Sequence, residues 1–576
     1  MQINFKSLLT IGIVLGGVAI ISVLLFHSFS FMSQSFAQEG REKESISIQR
    51  NIFFQENRGD RKRRPKGGDE SVRTIDGSNN NRRNEEMGAA HTDLLRLVPS
   101  DYSDGISSLA GENRPSPRAI SNAVVSQDGS ILNSLKASDY LWQWGQFLDH
   151  DIDLTEGTDP PEFANIQVPA GDPFFDPENT GIQIIPLNRS IYNRSTGTDV
   201  NNPRQQENEI TAWIDASNVY GSDEERANAL RTNDGTGKLK TSEGNLLPFN
   251  TEGLPNAGGE DPTLFLAGDL RANEQIGLIV MHTLFVREHN RLAEEYAERN
   301  PRWDGEQIYQ KARQIVGAQM QVITYNEFLP ALLGDRPLKR YRRYDKNVDA
   351  SIRNMFSTAG FRFGHSALSP VLLRLDSNGN EIPEGNISLS QAFFSPFRIT
   401  QEGGIEPILR GLAAQECQRI DSFVVDDVRN FLFGQPGSGG FDLPSLNIQR
   451  GRDHGLPSYN DTKEALGLAR AQGFEDVSSD PEIQERLASV YDSVDDIDLW
   501  VGGLAEDPLP GSHLGELFST IIIGQFEALR DGDRYWYEED LSRDEIREVE
   551  RTKLSDIIRR NTDIDREIPD NVFRVK

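Results

Sequence analysis

Residues Trp144–Thr155 read WGQFLDHDIDLT and place His150 inside a run of three aspartates, directly after an apolar segment with helical spacing. Residues four apart share one face of a helix, so Gln146 and His150 point the same way, with Asp149 beside them. Asp151 lies about 100° further round the helix axis. One helix can therefore present His150 to one cavity and Asp151 to a second site behind it. Taken alone, His150 also fits an ordinary helix end among solvated acids.

A second stretch, TAWIDASNVYGS at Thr211–Ser222, alternates residues that carry usable oxygen atoms. In a curled loop, alternate residues turn their oxygens to one centre, and calcium binds six to eight such oxygens. The alternating residues are Thr211, Trp213, Asp215 and Ser217. One aspartate supplies too little charge for a good calcium site, but Asp151 could supply the second carboxylate. Without that partner, an ordinary loop with a Ser-Asn turn explains the pattern equally well.

A third stretch, AGDLRANEQIGLIVMHTLFVREHNRLAEEY, begins at Ala267 and includes a long helical pattern. Arg271 and Glu274 are three apart at its expected start and should face one side, although such a pair is often only a surface ion pair. His282 and His289 are seven apart, which separates them by about 10 Å on a helix. That is too far for one metal ion, so we interpret both as structural.

Two further stretches contain a histidine and an asparagine of interest. FSTAGFRFGHSAL includes His365 directly after Gly364, and a glycine there lets a flat group approach closely. LPSLNIQRGRDHGLPSYN places Asn447 and Arg450 three apart, so both can face one ligand. A glycine-marked turn beside a core histidine would explain these stretches if they stood alone.

Taken together, these stretches resemble the animal-type haem peroxidases of the peroxidase–cyclooxygenase superfamily. The motifs that carry the resemblance follow in the order WGQFLDHDIDLT, WIDASNVYGS, MHTLFVREHNRLA, FRFGH and LNIQRGRDHGLPSYN. The resemblance runs from RTIDGSNNNRRN, which starts at Arg73, to LRDGDRYWYE near the C-terminus. It therefore covers most of the chain. Chance agreement in all five motifs is not credible.

The resemblance implies a haem b site with residues on both faces of the haem. His150 and Arg271 match the distal histidine and arginine of the family, and Gln146 matches the distal glutamine. His365 matches the proximal iron ligand, and Asn447 matches the asparagine that hydrogen-bonds its other ring nitrogen. A neutral asparagine in place of a carboxylate should make His365 less electron-rich and the iron a stronger oxidant.

The resemblance also implies covalent haem attachment and a calcium ion. Asp149 and Glu274 match the two carboxylates that form esters with the haem, whereas Gln275 stands where some members have a methionine that forms a third link. Arg362 and Arg450 match arginines near the haem and its propionates. The residues that match the calcium ligands are Asp151, Thr211, Trp213, Asp215 and Ser217. Because Asp151 adjoins His150, a bound calcium ion would orient the distal helix.

The activity implied is reduction of hydrogen peroxide followed by oxidation of a halide, thiocyanate or a small phenol. In the family pattern His150 is neutral at rest and acts first as general base and then as general acid, which is worth roughly 10²–10⁴-fold in rate. Arg271 donates hydrogen bonds to the negative charge that develops as the O–O bond breaks.

The resemblance leaves two alternative functions. Fatty-acid dioxygenases of the same superfamily use a tyrosyl radical three residues before the proximal histidine, and Arg362 occupies that position here, which argues against them. A non-catalytic extracellular calcium-binding or adhesion protein is the other alternative. The joint presence of His150, Arg271 and His365 argues against that alternative.

The predicted fold is mainly α, with one large haem-peroxidase domain at residues 72–576, long loops and few short strands. No internal repeat is evident. The expected helices are Ser138–Leu148, Ala272–Arg299, Gly305–Leu333, Ser351–Leu368, Glu406–Leu432 and Leu514–Leu529. The single cysteine, Cys417, excludes any intrachain disulfide and is expected to be buried on a helix. Asn79 stands where animal members have a cysteine, which indicates a bacterial member.

The N-terminal residues predict export. Lys6 precedes the apolar run Leu8–Phe26, and Ser35-Phe36-Ala37 fits a cleavage site, so residues 1–37 read as a signal peptide. The run is also long enough to stay uncleaved as a membrane anchor. Residues 38–71 read as a flexible polar linker. The body is therefore expected to be secreted, extracellular or periplasmic, with membrane contact only if the first segment remains.

The net charge of −29 bears on partners. A strongly acidic surface repels nucleic acid and anionic lipid, so neither is expected to bind. The expected partners are hydrogen peroxide and small electron donors.

Overall fold

Helices carry the fold in the computed structural model, which describes residues 72–334, 338–437 and 439–576. The predicted signal peptide and linker lie outside the described residues. Residues Val72–Lys576 form one compact unit. The mainly α class with few short strands is confirmed. Within the described ranges, no helix is both long enough and apolar enough to cross a lipid bilayer.

The helices are numbered in chain order. They are α1 Pro117–Ile120, α2 Tyr140–Ile152, α3 Ser217–Tyr220, α4 Glu224–Leu230, α5 Ile276–Arg299, α6 Gly305–Ile323, α7 Leu329–Leu333, α8 Asn354–Thr358, α9 Phe397–Gln401, α10 Glu406–Ala414, α11 Asp426–Arg429, α12 Leu443–Asp453, α13 Tyr459–Ala465, α14 Pro481–Ala488, α15 Leu499–Ala505, α16 Glu516–Asp531, α17 Tyr537–Asp540, α18 Arg543–Val549 and α19 Leu554–Asn561. Single π-helical turns span Ser121–Val125 and Thr324–Phe328. Short 3₁₀ segments span Glu243–Asn245, Gly360–His365, Leu389–Gln391, Phe474–Asp476 and Val494–Asp496.

Six two-residue strands form three small antiparallel pairs. The strands are β1 Thr92–Asp93, β2 Ile166–Gln167, β3 Ile184–Ile185, β4 Glu207–Asn208, β5 Val371–Leu372 and β6 Ile387–Ser388. β1 pairs with β4, β2 with β3 and β5 with β6. These pairs tie down long loops and leave the core to the helices.

The core fixes the helix that contains His150. Trp144 and Phe147 on α2 are fully buried, and Phe147 stacks on Phe285 of α5 with ring centroids 5.2 Å apart. Burying an aromatic side chain of this size stabilises the fold by about 1.5–3 kcal/mol. α2 is therefore held against α5, and its last turn carries His150 and Asp151 to fixed positions.

Two predicted helix boundaries were wrong in ways that matter for the site. α5 begins at Ile276 and not at Ala272, because the side chain of Gln275 caps the helix by accepting from the backbone N–H of Gly277 at 2.6 Å. Arg271 and Glu274 therefore lie in the turn before α5. The predicted helix Ser351–Leu368 breaks into α8 and the 3₁₀ segment that ends at His365.

The predicted helix Glu406–Leu432 was also wrong beyond its first turns. α10 ends at Ala414, and the chain continues in an extended conformation that pairs Glu416 with Ser138. Cys417 lies in this extended part and not on a helix. It is fully buried, as predicted, and burial raises the pKa of its thiol well above the usual range.

Candidate functional site

The last turn of α2 places His150 next to a carboxylate that the sequence motifs did not single out. His150 is buried, and its Nδ1 lies 3.5 Å from Oδ1 of Asp269. This contact is electrostatic, because Nδ1 makes no hydrogen bond to any described residue. Burial and the neighbouring Arg271 hold the pKa of His150 well below its usual range. The imidazole is therefore neutral at rest.

Arg271 is held in place by the same carboxylate. Its Nε donates to Oδ1 of Asp269 at 3.0 Å, and its Nη2 donates to Oδ2 at 2.9 Å. Nη2 also donates to the backbone oxygen of Asp153 at 2.8 Å, and Nη1 lies 3.7 Å from Oδ2 of Asp149. Burial opposes the charge of Arg271, but Asp269 outweighs it and raises the pKa, so the guanidinium stays charged.

Asp269 is the functional residue that the sequence motifs missed. It is buried, and although burial favours its neutral form, the charge and the hydrogen bonds of Arg271 lower its pKa. Its position two residues before Arg271 was a possible signal, but His150 lies far away along the chain. Asp153, the last aspartate of the opening motif, is also buried at 5 % exposed, and its carbonyl binds Arg271.

Gln146, Asp149 and Glu274 lie together on the side of α2 that His150 faces. Nε2 of Gln146 donates to Oε2 of Glu274 at 3.4 Å, and Nε2 of Gln275 donates to Oε1 of Gln146 at 3.2 Å. Burial raises the pKa of Glu274 to about 7, and Arg271 opposes the shift. Burial together with Asp153 raises the pKa of Asp149 to about 7. Of the two carboxylates that the resemblance names, Glu274 thus lies next to Gln146 and Asp149 next to Arg271.

His365 lies at the end of the Gly360–His365 segment, which packs against α2. Its Nδ1 is 2.7 Å from Nδ2 of Asn447, whose Oδ1 accepts from Nη1 of Arg362 at 3.2 Å. Burial and Arg362 lower the pKa of His365 to about 3, so the ring is neutral. Arg362 also lies within electrostatic reach of Asp149 and Arg271. The proximal and distal residues therefore converge on one region.

The proximal residues fit a haem iron. A metal at Nε2 of His365 would require a proton on Nδ1, and Asn447 could accept that N–H only after its amide turned, because in this structure its Nδ2 faces the ring. A Cβ added to Gly364 would meet no heavy atom within 4 Å, so open space adjoins His365. Arg450 is anchored away from this point, since its Nη1 donates to Oγ of Ser190 at 2.9 Å and to Oδ2 of Asp453 at 3.1 Å.

Behind α2, the predicted calcium residues do come together. Backbone N–H groups of Ala216 and Asn218 donate to the carboxylate of Asp151, both at 3.3 Å. Oγ of Ser217 donates to the backbone oxygen of Asp151 at 2.7 Å, which ties the 211–217 loop to the helix.

The second carboxylate of this site completes a donor set that suits calcium. Asp215 is buried, accepts from Oγ1 of Thr211 at 3.2 Å, and leaves Oδ2 without a hydrogen-bond partner among the described residues. Burial and the neighbouring Asp215 raise the pKa of Asp151 well above its usual range. Trp213 offers only its carbonyl, because its indole donates to the backbone oxygen of Gly77. In the described ranges no three His, Cys or carboxylate side chains gather around a metal position, so a cation here would need hydroxyl and carbonyl oxygens as well.

His282 and His289 lie inside the protein, as a structural role requires. Nδ1 of His289 is 2.9 Å from the hydroxyl of Tyr220, and Nε2 is 2.9 Å from the backbone oxygen of Gly237. The ring of His282 packs edge-on against Phe147 at 5.0 Å. Burial lowers the pKa of both histidines to about 4, so both are neutral.

Comparison with known proteins shows one consistent family. The family model described as animal haem peroxidase matches residues 72–573. Peroxinectin A of Dictyostelium discoideum is 39 % identical over 527 residues, which cover 88 % of this chain and 96 % of that protein. The peroxidasin homolog of Mus musculus is also 39 % identical over 567 residues, which cover 88 % of this chain but only 38 % of that longer protein.

Solved structures give the same answer for the fold. Peroxidase A from Dictyostelium discoideum is 37 % identical with a TM-score of 0.81, covering 87 % of this chain and 99 % of that chain. A fatty acid alpha-dioxygenase from Oryza sativa is 22 % identical with a TM-score of 0.74, covering 88 % of each chain. At that identity the second likeness concerns the fold alone.

Proposed function

This chain belongs to the animal haem peroxidase family, and from that premise we propose which of its residues carry the peroxidase reaction. The enzyme is an oxidoreductase that reduces hydrogen peroxide with electrons from small donors. The observations that support the residue assignment are the contact of one carboxylate, Asp269, with both His150 and Arg271, and the contact between His365 and Asn447.

In this proposal, Nε2 of His365 would hold the haem iron, and Asn447 would accept from its Nδ1–H after its amide turned. Haem would supply an iron centre that binds peroxide and stores the oxidising equivalents released when the O–O bond is cleaved. Arg362 could pair with a haem propionate once the oxygen of Asn447 no longer binds it. Arg450 is already engaged by Asp453 and would contribute positive charge at a greater distance.

His150 moves the proton that peroxide reduction requires. As a neutral imidazole it accepts a proton from one peroxide oxygen and returns it to the other, which leaves as water. Arg271 donates to the oxygen on which negative charge develops, and Asp269 fixes the guanidinium through both of its oxygens. Gln146 is held by Glu274 and Gln275, and so presents its amide to the same space.

Asp149 and Glu274 are proposed to link the haem covalently by esters. Glu274 accepts a hydrogen bond from Gln146 at 3.4 Å, and Asp149 lies 3.7 Å from Arg271. Gln275 has no sulfur and cannot form a third link. Its amide instead caps α5 and binds Gln143 at 2.8 Å.

Calcium is proposed at the site formed by Asp151 and the 211–217 loop. Two buried carboxylates with one unpaired oxygen repel each other, and a divalent cation would remove that repulsion. Because Asp151 and His150 are neighbours on α2, the ion would also fix the last turn of the distal helix.

The donors are proposed to be halides, thiocyanate or small phenols, and the body is proposed to act outside the cytoplasm as a secreted or periplasmic enzyme. The dioxygenase alternative is not favoured, since Arg362 occupies the position of the required tyrosine. The test is to purify the protein with haem supplied and compare two reactions. We expect a Soret band and peroxide-dependent iodide oxidation. Oxygen uptake with a polyunsaturated fatty acid, without iodide oxidation, would overturn the proposal.

A further inference from the structure

An aromatic groove of about 480 Å³ opens between three segments of the chain, and none of the residues assigned above to the haem pocket lines it. Its aromatic walls are Tyr325, Tyr341, Trp536 and Tyr537. Glu538 at its rim is exposed, so the groove is open to solvent. Tyr325 lies on the π-helical turn Thr324–Phe328, a rare conformation that is frequent at functional sites.

A continuous series of ring contacts, the aromatic ladder, leads from this groove to the proximal haem segment. The ring of Trp536 lies 4.8 Å from that of Tyr325, and Tyr325 lies 6.0 Å from Phe526. Phe526 lies 5.6 Å from Phe361, which belongs to the same short segment as His365. One phenylalanine ring therefore separates an oxidisable tyrosine from that segment. Electron transfer between sites depends on such short separations.

Carboxylates lie next to the oxidisable side chains of the groove. There they can stabilise a ring that loses an electron or accept the proton that it releases. Nε1 of Trp536 donates to Oε1 of Glu538 at 3.3 Å, and the hydroxyl of Tyr341 donates to Oε1 of Glu539 at 3.0 Å. A nearby negative charge makes it easier to remove an electron from a ring. Glu539 can in addition take the phenolic proton of Tyr341.

Charges of both signs border the groove, so it selects for an aromatic ring rather than for an ion. The guanidinium of Arg530 lies 5.5 Å from the ring centroid of Tyr341, and its Nε donates to Asp531 at 2.8 Å. Lys339 on the neighbouring segment is paired with Glu527 at 2.9 Å. An uncharged phenol fits this environment, because it can stack on the aromatic walls and donate its hydroxyl to Glu538.

We propose that the aromatic groove is a second donor site, at which phenols too large for the haem pocket are oxidised through the aromatic ladder. This inference rests on the proposed peroxidase function. Each hydrogen peroxide takes two electrons and two protons and becomes two waters. Two phenols each lose one electron through the ladder and one hydroxyl proton to solvent, and two phenoxyl radicals leave the groove. Peroxide is the only oxidant required.

A second tyrosine–tryptophan pair provides the matched control. Tyr296 and Trp303 stack with centroids 6.1 Å apart, and both side chains are partly exposed. No ring contact among the described residues connects this pair to Phe361. Trp303→Phe and Tyr296→Phe therefore make the same chemical changes as Trp536→Phe and Tyr341→Phe. They do so outside both the aromatic groove and the aromatic ladder.

The test uses the haem-loaded enzyme and a phenol tethered to dextran, a polymer too large to enter a buried pocket. We expect Trp536→Phe and Tyr341→Phe to slow peroxide-dependent oxidation of the tethered phenol at least about tenfold, with iodide oxidation unchanged. Spin trapping after peroxide addition, followed by peptide mapping, should find a radical adduct on Tyr341 or Trp536 in the unaltered protein. The two control variants should oxidise tethered phenol at the unaltered rate.

Two results would overturn the inference. One is equal oxidation of tethered phenol by the groove variants and the unaltered enzyme. The other is an equal loss in the control variants, which would trace the effect to general damage. Loss of iodide oxidation in the unaltered enzyme is a different result, because it would contradict the proposed peroxidase function itself.

Discussion

Asp269 binds Arg271 through both carboxylate oxygens, at 3.0 Å to Nε and 2.9 Å to Nη2, and the same carboxylate lies 3.5 Å from His150. One buried anion thus positions the two groups proposed to act on peroxide. Held in this way, Arg271 also places its Nη1 3.7 Å from the carboxylate of Asp149.

The first prediction concerns this carboxylate. Asp269→Asn removes the charge and one of the bonds that hold Arg271, so we expect peroxide reduction to slow about 100-fold, which corresponds to about 2.7 kcal/mol. Stopped-flow mixing of the haem-loaded variant with peroxide measures the rate. Asp261→Asn, an exposed aspartate on the same loop, is the control and should react normally. An unaltered rate in Asp269→Asn would show that Arg271 needs no such anchor.

The second prediction concerns covalent attachment. Glu274→Gln should leave one ester, to Asp149, and the double variant with Asp149→Asn should leave none. Acidic organic solvent should then extract haem from the double variant but not from peroxide-treated unaltered protein. Mass spectrometry of haem peptides identifies the remaining link. Free extraction of haem from the peroxide-treated unaltered protein would contradict the ester assignment.

The third prediction concerns calcium. The expected effect of the substitution on stability has opposite signs in calcium and in chelator. Asp215→Asn removes one ligand, so calcium binding should weaken by more than the roughly 10–100-fold lost with an outer-shell partner. In calcium the variant should be less stable than the unaltered protein. In chelator it should be the more stable of the two, because Asp151 no longer faces a second buried carboxylate.

Thermal unfolding with and without chelator, together with metal analysis, measures both effects. The exposed Asp234→Asn is the matched control. If Asp215→Asn is less stable under both conditions, the pair of carboxylates is not a cation site.

The fourth prediction is a pH dependence of stability. Burial lowers the pKa of His289 from 6.5 to about 4, with Arg231 adding to the shift and Glu288 opposing it. Between pH 6.5 and about 4, the unfolded chain therefore binds a proton at His289 that the folded protein does not bind. The stability contributed by neutral His289 is complete above pH 6.5 and declines as the pH falls towards 4.

Urea unfolding of the unaltered protein and of His289→Gln over this pH range should show the effect as a difference in the free energy of unfolding. His289→Gln cannot take up the proton, so its stability should fall less steeply on acidification, by up to about 1.4 kcal/mol per pH unit. Parallel stability curves for the two proteins would mean that His289 is not held neutral by burial.

The sequence predicted those parts of the site that local pattern determines. Apolar residues at helical spacing located the helix of His150, and the i to i+4 rule placed Gln146 on the same side. The start of α5 was missed because Gln275 caps it, whereas Ser, Thr, Asp and Asn are the usual capping residues. Arg271 and Glu274 still meet the distal space, since the turn brings them there.

The local sequence pattern could not predict contacts between distant parts of the chain. Asp269 could not be assigned from its neighbours, because its contact with His150 exists only after α2 and the 269–274 turn have packed together. The aromatic groove combines residues 325–334 and 338–341 with residues 530–538, and no one of these segments shows it alone. The same packing buries Asp153, whose position in a run of aspartates does not reveal its burial.

The proton transfer by His150 is tested most directly by a single mixing experiment. In haem-loaded His150→Gln, we expect normal haem content and a rate of peroxide reduction that is roughly 10²–10⁴-fold lower. The control is exposed His91→Asn, since asparagine tolerates the backbone φ of 60° at that position, and it should react like the unaltered protein. A His150→Gln variant that reduces peroxide at the unaltered rate would contradict the account.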